Sequence, residues 1–207
     1  MDKKIAKILD QLGKQARYED KHYEKIPHEN RMLAITEDTG LFYNGIIRAM
    51  KPKRILEIGL SVGYSTIWFA EAITNSSKII SLEQNPQKIA RARHNFKQAG
   101  VSQKIQIIQG NAKQLLQKML DDFKTKKARQ YYDFVFIDAD KENYPFYFKA
   151  GLAMLNKGGI ICADNILYPT RYQKSIKKYL AMVMKNKSVQ TIVIPIGNGQ
   201  QFSVKTK

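Results

Sequence analysis

The sequence predicts an α/β fold, with a seven-stranded, mostly parallel sheet, an antiparallel hairpin at its C-terminal end and helices on both faces. Two patterns indicate this fold. From about residue 53 onward, short apolar runs alternate with longer amphipathic segments, which is typical of βαβ units around a parallel sheet. The last two apolar runs, 189–194 and 202–204, are separated by only seven residues. That connection is too short for a helical crossover, so the last two strands are expected to pair antiparallel.

The individual elements of the core follow from the same alternation. Each predicted strand is an apolar run of three to six residues: 54–58, 78–82, 105–108, 134–137, 160–163, 189–194 and 202–204. The longer segments repeat apolar residues at helical spacing, which predicts helices at about 64–74, 86–99, 112–120, 143–155 and 171–186. The charged segment 121–130 is predicted to be an exposed loop.

The first 50 residues predict helices and no strand. Apolar residues at helical spacing indicate a first helix: Ile5, Ile8, Leu9 and Leu12. Segment 39–50 predicts a second helix, which the Lys51-Pro52 pair ends. Between them, the charged and aromatic segment 18–31 is either a helix or a lid-like loop. The chain has 207 residues and no internal repeat or linker, so we expect a single domain.

The positive charge of the chain is unevenly distributed. The net charge is +17, and residues 1–83 carry 13 Lys/Arg and 11 Asp/Glu, whereas residues 84–207 carry 22 and 7. Such an excess fits either a polyanionic partner such as RNA or ordinary solvated helix faces. No RNA-binding module and no basic motif interleaved with aromatic residues is visible in the sequence, which favours the second interpretation.

The composition also bears on the compartment of the protein. A single cysteine, Cys162, excludes an intrachain disulfide and a cysteine-based zinc site. No apolar run is long enough to span a bilayer, and the N-terminus lacks the apolar region of a signal peptide. We therefore expect a cytoplasmic protein that does not associate with membranes.

Oxygen-bearing side chains follow two of the predicted strands. Asp138 ends the fourth apolar run, and Asp164 and Asn165 end the fifth. In an open α/β sheet, ligands bind at the carboxyl ends of the strands. Carboxylate and amide oxygens suit a hard cation such as Mg²⁺ or Ca²⁺. Lys141 lies one helical turn beyond Asp138, so the pattern indicates a cation site with a lysine beside it, suited to the activation of a hydroxyl.

A glycine-rich turn follows the first predicted strand. The segment 57–65 has two glycines with three residues between them, Gly59 and Gly63, and Glu57 stands just before the pair. The dinucleotide fingerprint and the P-loop pattern are both absent. An acid in this place repels a pyrophosphate but can receive ammonium or hydroxyl groups. Glu83 ends the second strand, where it is placed to bind the hydroxyls of a ribose.

These motifs together resemble the cation-dependent O-methyltransferases that use S-adenosylmethionine, the family of the catechol and caffeoyl-coenzyme A O-methyltransferases. The resemblance runs from about Ile35 to the C-terminus. Five stretches carry it: Glu-Ile-Gly-x-x-x-Gly-Tyr-Ser (57–65), Glu83, Phe-Ile-Asp-Ala-Asp-Lys-x-x-Tyr (136–144), Gly-Gly-x-x-x-x-Asp-Asn (158–165) and Pro-Ile-Gly-Asn-Gly (195–199). It implies a Rossmann-like class I methyltransferase fold, with residues 1–50 as a helical cap near the acceptor and residues 51–207 as the cofactor-binding core.

The resemblance also implies roles for individual residues. Asp138, Asp164 and Asn165 would bind the divalent cation, which would be Mg²⁺, Ca²⁺ or Mn²⁺. Lys141 would be the general base, acting beside Asp138. The remaining candidates would hold S-adenosylmethionine: Ile35, Glu57, Gly59, Gly63 and Ser65 at the methionine part, Glu83 at the ribose, and Ala112, Asp138 and Asp140 along the rest of the cofactor.

Two positions depart from the usual pattern of this family. Asn111 stands where an aspartate is common, and it can still form hydrogen bonds near the adenine. Tyr168-Pro169 stands where Trp or Phe and a small residue are common, close to the acceptor.

The resemblance favours methylation of a hydroxyl on a catechol-like small molecule with adjacent oxygens, by a homodimer. Two alternatives stay open. Some small bacterial members of the family methylate a hydroxyuridine of tRNA, which the basic second half of this chain would suit. The other alternative is a nucleic-acid-binding relative with an inactive site, which the intact set of Asp138, Lys141, Asp164 and Asn165 disfavours.

Overall fold

A computed structural model describes residues 1–125 and 131–207 of the chain. It contains seven α-helices in the described residues: α1 (Lys3–Lys21), α2 (Glu37–Met50), α3 (Tyr64–Ala72), α4 (Pro86–Ala99), α5 (Ala112–Lys124), α6 (Tyr144–Ala153) and α7 (Gln173–Met184). The strands are β1 (Arg54–Ile58), β2 (Lys78–Glu83), β3 (Ile105–Gln109), β4 (Tyr132–Ile137), β5 (Leu155–Ala163), β6 (Val189–Ile194) and β7 (Gln200–Lys205).

The seven strands form one sheet in the order β3-β2-β1-β4-β5-β7-β6. The first five are parallel neighbours, whereas β7 pairs antiparallel with both β5 and β6. This confirms the predicted mostly parallel sheet with an antiparallel C-terminal hairpin. The chain moves outward from β1 to β3 and then returns to β4 beside β1. The reversal of strand order opens a crevice at the carboxyl ends of β1 and β4, which is where ligands bind in such sheets.

Two apolar layers cover the sheet. Side chains that alternate along β1 and β4 point to opposite faces, so Ile55 and Phe134 pack with α1 to α4, whereas Leu56 and Val135 pack with α5 to α7. In the first layer, the ring of Tyr43 lies 5.3–5.7 Å from those of Phe134 and Phe136, in edge-to-face contact. Helices α1 and α2 thus share the core of the sheet.

The sequence prediction of two boundaries was wrong. The loop predicted at 121–130 is helical up to Lys124, because Leu120 and Phe123 continue the apolar face of α5. The rest of that prediction, 126–130, lies outside the described residues. Strand β5 begins at Leu155, five residues before the predicted strand, because Leu155 pairs with Tyr132 ahead of an irregularity in the β4–β5 ladder. The helix predicted at 143–155 therefore ends at Ala153.

Segment 18–31, left open as helix or loop, is divided between the two. Helix α1 continues to Lys21, and short 3₁₀ turns follow at Tyr23–Lys25 and His28–Asn30.

Within residues 1–125 and 131–207, none of the helices is both long and apolar enough to cross a membrane.

Candidate active site

A cavity of about 1210 Å³ opens at the carboxyl ends of β1, β2 and β4. Its floor contains the glycine-rich turn after β1, the end of β2 and the turn after β4. Its walls come from α1, the segment 32–38 and the loop 168–172. Most of the residues selected from the sequence line this cavity: Ile35, Gly59, Ser65, Glu83, Ala112, Asp138, Asp140, Lys141 and Asn165. Glu57, Gly63 and Asp164 lie behind its surface.

The glycines of the turn after β1 are required by packing. Gly59 has a φ of +104°, and a Cβ there would lie 2.0 Å from the carbonyl oxygen of Asp138. Gly63 has a φ of +83°, and its Cβ would lie 2.4 Å from the ring of Phe96. Side chains are disfavoured at such φ values even without a neighbour. The two glycines therefore bring β1 close to β4 and bring α3 close to α4.

The carboxylate of Glu57 is fully buried beneath the cavity floor. It accepts hydrogen bonds from the hydroxyls of Ser65 (2.5 Å), Thr66 (2.6 Å) and Ser81 (2.6 Å). Burial raises the pKa of Glu57 to about 7, although the three hydroxyl donors favour the ionised form. Of this group only Ser65 also lines the cavity, so Glu57 meets the cavity through that hydroxyl.

Glu83 is held in place by the backbone around it. Its Oε2 accepts the amide N–H of Ser61 at 2.9 Å, and its Oε1 accepts those of Gln84 and Asn85 at 3.0 and 2.9 Å. These bonds fix a carboxylate at the cavity surface with lone pairs left for hydroxyl donors. Across from it, Asn111 caps α5 by accepting from the amides of Lys113 and Gln114, so the asparagine that departs from the family pattern performs a role that an aspartate could also perform.

Lys141 and Asp138 form an ion pair on the cavity wall. The Nζ of Lys141 lies 2.9 Å from the Oδ1 of Asp138, and the exposed fractions of the two side chains are 9% and 16%. The ammonium also lies 4.9 Å from the ring centroid of the buried Tyr144. The lysine predicted to sit beside the cation site is therefore in direct contact with one of its proposed ligands.

Asp164 lies directly behind this pair at the end of β5. It is 2% exposed, and its Oδ1 accepts from the amide of Asn165 at 2.7 Å and from the Nε2 of Gln200 at 2.5 Å. Burial and the negative charge of Asp138 raise the pKa of Asp164 to about 7. Asn165 has a φ of +60°, and the chain after it bonds to the loop before β7, where Ile166 donates to the Gly199 carbonyl oxygen at 3.0 Å.

The residues present fit a hard divalent cation. Asp138 and Asp164 are close enough for the charge of one to disfavour ionisation of the other, and a cation between them would remove that cost. In the described part of the chain, no three His, Cys, Asp or Glu side chains are grouped as a metal site. The third protein ligand would therefore be the amide oxygen of Asn165, which suits Mg²⁺ better than a softer metal.

Asp140 borders the cavity one residue before Lys141. Its Oδ1 accepts the hydroxyl of Tyr147 at 2.5 Å, and its Oδ2 accepts from the side-chain amide of Asn143. Both contacts hold the carboxylate against the start of α6.

Two functional features escaped the sequence reasoning. The first is a cluster at the cavity mouth. The guanidinium of Arg31 stacks 3.6 Å above the ring of Tyr23, and Arg171 donates to the Tyr23 hydroxyl at 2.8 Å while stacking on Tyr172. It joins residues 148 positions apart, so no local pattern could signal it.

The second is Gln200, whose amide joins Asp164 to helix α2. Besides donating to Asp164, it accepts from the hydroxyl of Tyr43 at 3.0 Å. The Pro-Ile-Gly-Asn-Gly stretch just before it was the available signal.

Comparisons with known proteins agree with this geometry. A family model described as O-methyltransferase matches residues 7–206. The catechol O-methyltransferase of Niastella koreensis is 33% identical over 135 residues, which span 65% of this chain and 59% of the length of that enzyme. Caffeoyl-CoA O-methyltransferase 5 of Nicotiana tabacum is 29% identical over 187 residues, covering 83% of this chain and 77% of that enzyme.

Solved structures share the fold. An O-methyltransferase from Bacillus cereus, determined with SAH, is 23% identical with a TM-score of 0.78, and the match covers 100% of this chain and 92% of the other. The O-methyltransferase TomG from Streptomyces achromogenes, determined with SAM, is 24% identical with a TM-score of 0.80, covering 100% and 91%. At these identities the two structures establish the class I methyltransferase fold. Because the family model spans nearly the whole chain, the protein belongs to the O-methyltransferase family.

Proposed function

We propose that this enzyme uses S-adenosylmethionine and a divalent cation to methylate a hydroxyl of a catechol-like small molecule with two adjacent oxygens. One observation carries the proposal. The ion pair of Lys141 and Asp138 lies beside Asp164 and Asn165, in the cavity that also contains Gly59 and Glu83. A lysine suited to act as a base and a set of hard oxygen ligands thus lie together on the wall of a crevice large enough for the cofactor.

The cofactor would occupy the part of the cavity above the turn after β1. Glu83 would accept the ribose hydroxyls, while Ser65 and the backbone near Ile35 would meet the methionine part. Ala112 and Asp140 would border the adenine. The volume of about 1210 Å³ exceeds the roughly 300–1,000 Å³ of an ordinary ligand pocket. This leaves room for an acceptor beside the cofactor, as methyl transfer requires, and two relatives of the same fold were determined with SAM or SAH.

The residues of the chain have separate tasks in such a reaction. Asp138, Asp164 and Asn165 would hold the cation, which would supply Lewis acidity and a template for the two adjacent oxygens of the acceptor. Lys141 is an ammonium in its ion pair with Asp138, so it must first release that proton to solvent. Its neutral Nζ would then accept the proton of the acceptor hydroxyl. The new O–CH₃ bond then forms as the S–CH₃ bond of the cofactor breaks. The buried ring of Tyr144 and the carboxylate of Asp138 keep Lys141 in position, and this pre-organisation lowers the barrier.

The decisive experiment is methyl transfer from labelled S-adenosylmethionine to a simple catechol, with Mg²⁺ or with a chelator. We expect label on the catechol that disappears with the chelator and returns when Mg²⁺ is added in excess. Transfer that is unaffected by the chelator would contradict the role of the cation. No transfer to catechol, to other vicinal diols or to RNA would contradict the enzymatic proposal altogether.

A second candidate substrate is a hydroxyuridine of tRNA, and the surface beside the cavity mouth favours it. Arg171 lines the mouth, and Lys174, Lys177 and Lys178 follow it as exposed residues along the first half of α7. Tyr168, which also lines the cavity, is 61% exposed, and an exposed ring of this kind can stack on a base. A parallel reaction with tRNA lacking the methyl group tests this candidate. Label on tRNA but not on catechol would make tRNA the substrate and would contradict the proposal of a catechol-like acceptor.

An inactive RNA-binding relative would bind RNA in a salt-dependent way and transfer no label to any acceptor. We also propose that the enzyme forms a homodimer through its N-terminal helices, where Tyr18 is 59% exposed on α1. Light scattering on the purified protein tests this, and a monomeric mass at working concentration would contradict it. The cytoplasmic location stays a prediction from the sequence.

A further inference from the structure

A buried lysine of the cavity has no partner in the described part of the chain. Lys88 lies in the first turn of α4, is 8% exposed and lines the cavity. Its backbone amide is bonded to the side chain of Asn85. Within residues 1–125 and 131–207, however, its ammonium makes no hydrogen bond and no ion pair within 4.0 Å. Its ammonium therefore opens onto the cavity as a charge without a partner among the described residues, available to a ligand.

The acids around Lys88 are committed to other donors. Glu83, which attracts it most strongly, accepts three backbone amides. Glu19 accepts the amide N–H of Met32 at 2.6 Å and the side-chain amide of Gln15 at 2.9 Å. Neither carboxylate therefore depends on the lysine for its hydrogen bonds, and neither lies within ion-pair distance of it.

The position on the helix adds to the cost. The first turn of a helix carries a partial positive charge, which disfavours a cation there. Burial lowers the pKa of Lys88, and the neighbouring Arg91 acts in the same direction. An anionic group of a ligand in the cavity would offset both effects and give this ammonium the partner that the described residues do not supply.

We propose that Lys88 binds the carboxylate of the methionine part of the cofactor. This inference rests on the proposed function, because it requires that the cavity hold S-adenosylmethionine. That molecule carries a sulfonium and an ammonium but only one anionic group, its carboxylate. A lysine that lines the cavity near Glu83 therefore has one anion of the cofactor to recognise.

A purely structural role makes a different prediction. If Lys88 only oriented Glu83 or the start of α4, its loss would weaken every ligand of the cofactor site alike. If it binds the carboxylate, its loss weakens only ligands that carry this group. A pair of ligands that differ in the carboxylate alone separates the two roles.

The test is titration calorimetry with S-adenosylhomocysteine and with its decarboxylated analogue. The variants are Lys88→Met, which keeps the apolar stem, and Lys88→Arg, which keeps the charge. Lys97→Met is the matched control, because Lys97 is an exposed lysine near the end of the same helix. A charge-assisted hydrogen bond corresponds to a preference for the carboxylated ligand on the order of 10-fold to 100-fold.

We expect the wild type, Lys88→Arg and Lys97→Met to show this preference. Lys88→Met should lose it while binding the decarboxylated ligand as the wild type does. The melting temperature of Lys88→Met should stay close to that of the wild type, because the lost ammonium makes no hydrogen bond or ion pair in the described part of the chain.

Equal weakening of both ligands, or an unchanged preference, would overturn the proposal while leaving the cofactor site standing. A wild type that binds neither ligand would overturn the proposed function, and this inference with it.

Discussion

Replacing Gly59 by alanine tests whether the contact between the ends of β1 and β4 shapes the active site. The added Cβ would lie 2.0 Å from the Asp138 carbonyl oxygen, whereas ordinary contacts begin at 3.4 Å. The two chains must therefore separate by roughly 1.4 Å. The obstacle is backbone, and the amide of Asp138 is tied to the Ile58 carbonyl at 2.8 Å, so the strain cannot be relieved by rotating a side chain.

Two costs add in this variant. Overpacking a well-packed site costs about 1–3 kcal/mol, and a side chain at a positive φ costs about 1–2 kcal/mol. We expect the free energy of unfolding of Gly59→Ala to fall by about 2–5 kcal/mol in urea titrations. Because Asp138 moves with its carbonyl, methyl transfer should fall by about 100-fold or more, as expected for a displacement of about 1 Å at a reacting group.

Gly45→Ala is the matched control for this variant. Gly45 is exposed within α2, and a Cβ there would meet nothing within 4 Å. This substitution should raise stability by about 0.5–1 kcal/mol, because alanine loses less backbone freedom on folding, and it should leave activity unchanged. A Gly59→Ala variant within about 0.5 kcal/mol of the wild type would show that the two strand ends are not held together, and would refute the reasoning.

Three further outcomes are expected. Lys141→Met should lower kcat by about 10²-fold to 10⁴-fold while calorimetry shows unchanged binding of S-adenosylhomocysteine; a fall in binding alone would contradict its role as base. Because burial raises the pKa of Glu57 to about 7 from its ordinary 4.5, the folded protein keeps a proton there that the unfolded chain releases. The stabilisation is complete below about pH 4.5 and is lost as the pH rises to about 7, by up to about 3 kcal/mol. Urea titrations across this pH range should show that the free energy of unfolding falls less with pH in Glu57→Gln than in the wild type. An identical pH dependence of the two proteins would disprove the assignment. Arg171→Gln should raise the KM for the acceptor with little change in kcat, measured by initial rates, since Arg171 borders the mouth and not the reacting groups; an unchanged KM would remove it from acceptor binding.

The sequence was sufficient for the order of the elements. Strands β1 and β4 are covered on both faces, so their residues read as continuous apolar runs and could be located without a structure. The start of β5 could not be located in this way, because Gly158 and Gly159 interrupt the apolar run inside the strand. The ladder to β4 extends the strand through them, and such pairing between distant segments leaves no local signal.

The sequence also pointed to most of the residues that the fold brings to the cavity. Short acidic side chains at strand ends, such as Asp138, have little reach, so their position in the sequence nearly determines their position in space. Long side chains have more freedom, and the place of Gln200 or Lys88 depends on which distant groups surround it. The burial of Glu57 was missed for the same reason, because its three hydroxyl donors come from α3 and β2.

The amide of Gln200 between Tyr43 and Asp164 has a consequence for how this enzyme can be re-engineered. A chimaera that exchanges the first 50 residues for those of another enzyme would replace Tyr43. The exchange would leave Gln200 without its donor, directly behind Asp164, a ligand of the proposed cation site. Acceptor preference is therefore best altered by grafting the segments 22–34 and 167–172, which leaves α1, Ile35 and α2 in place. The N-terminal helices thus support the active site directly, and only the loop between them can be exchanged without disturbing it.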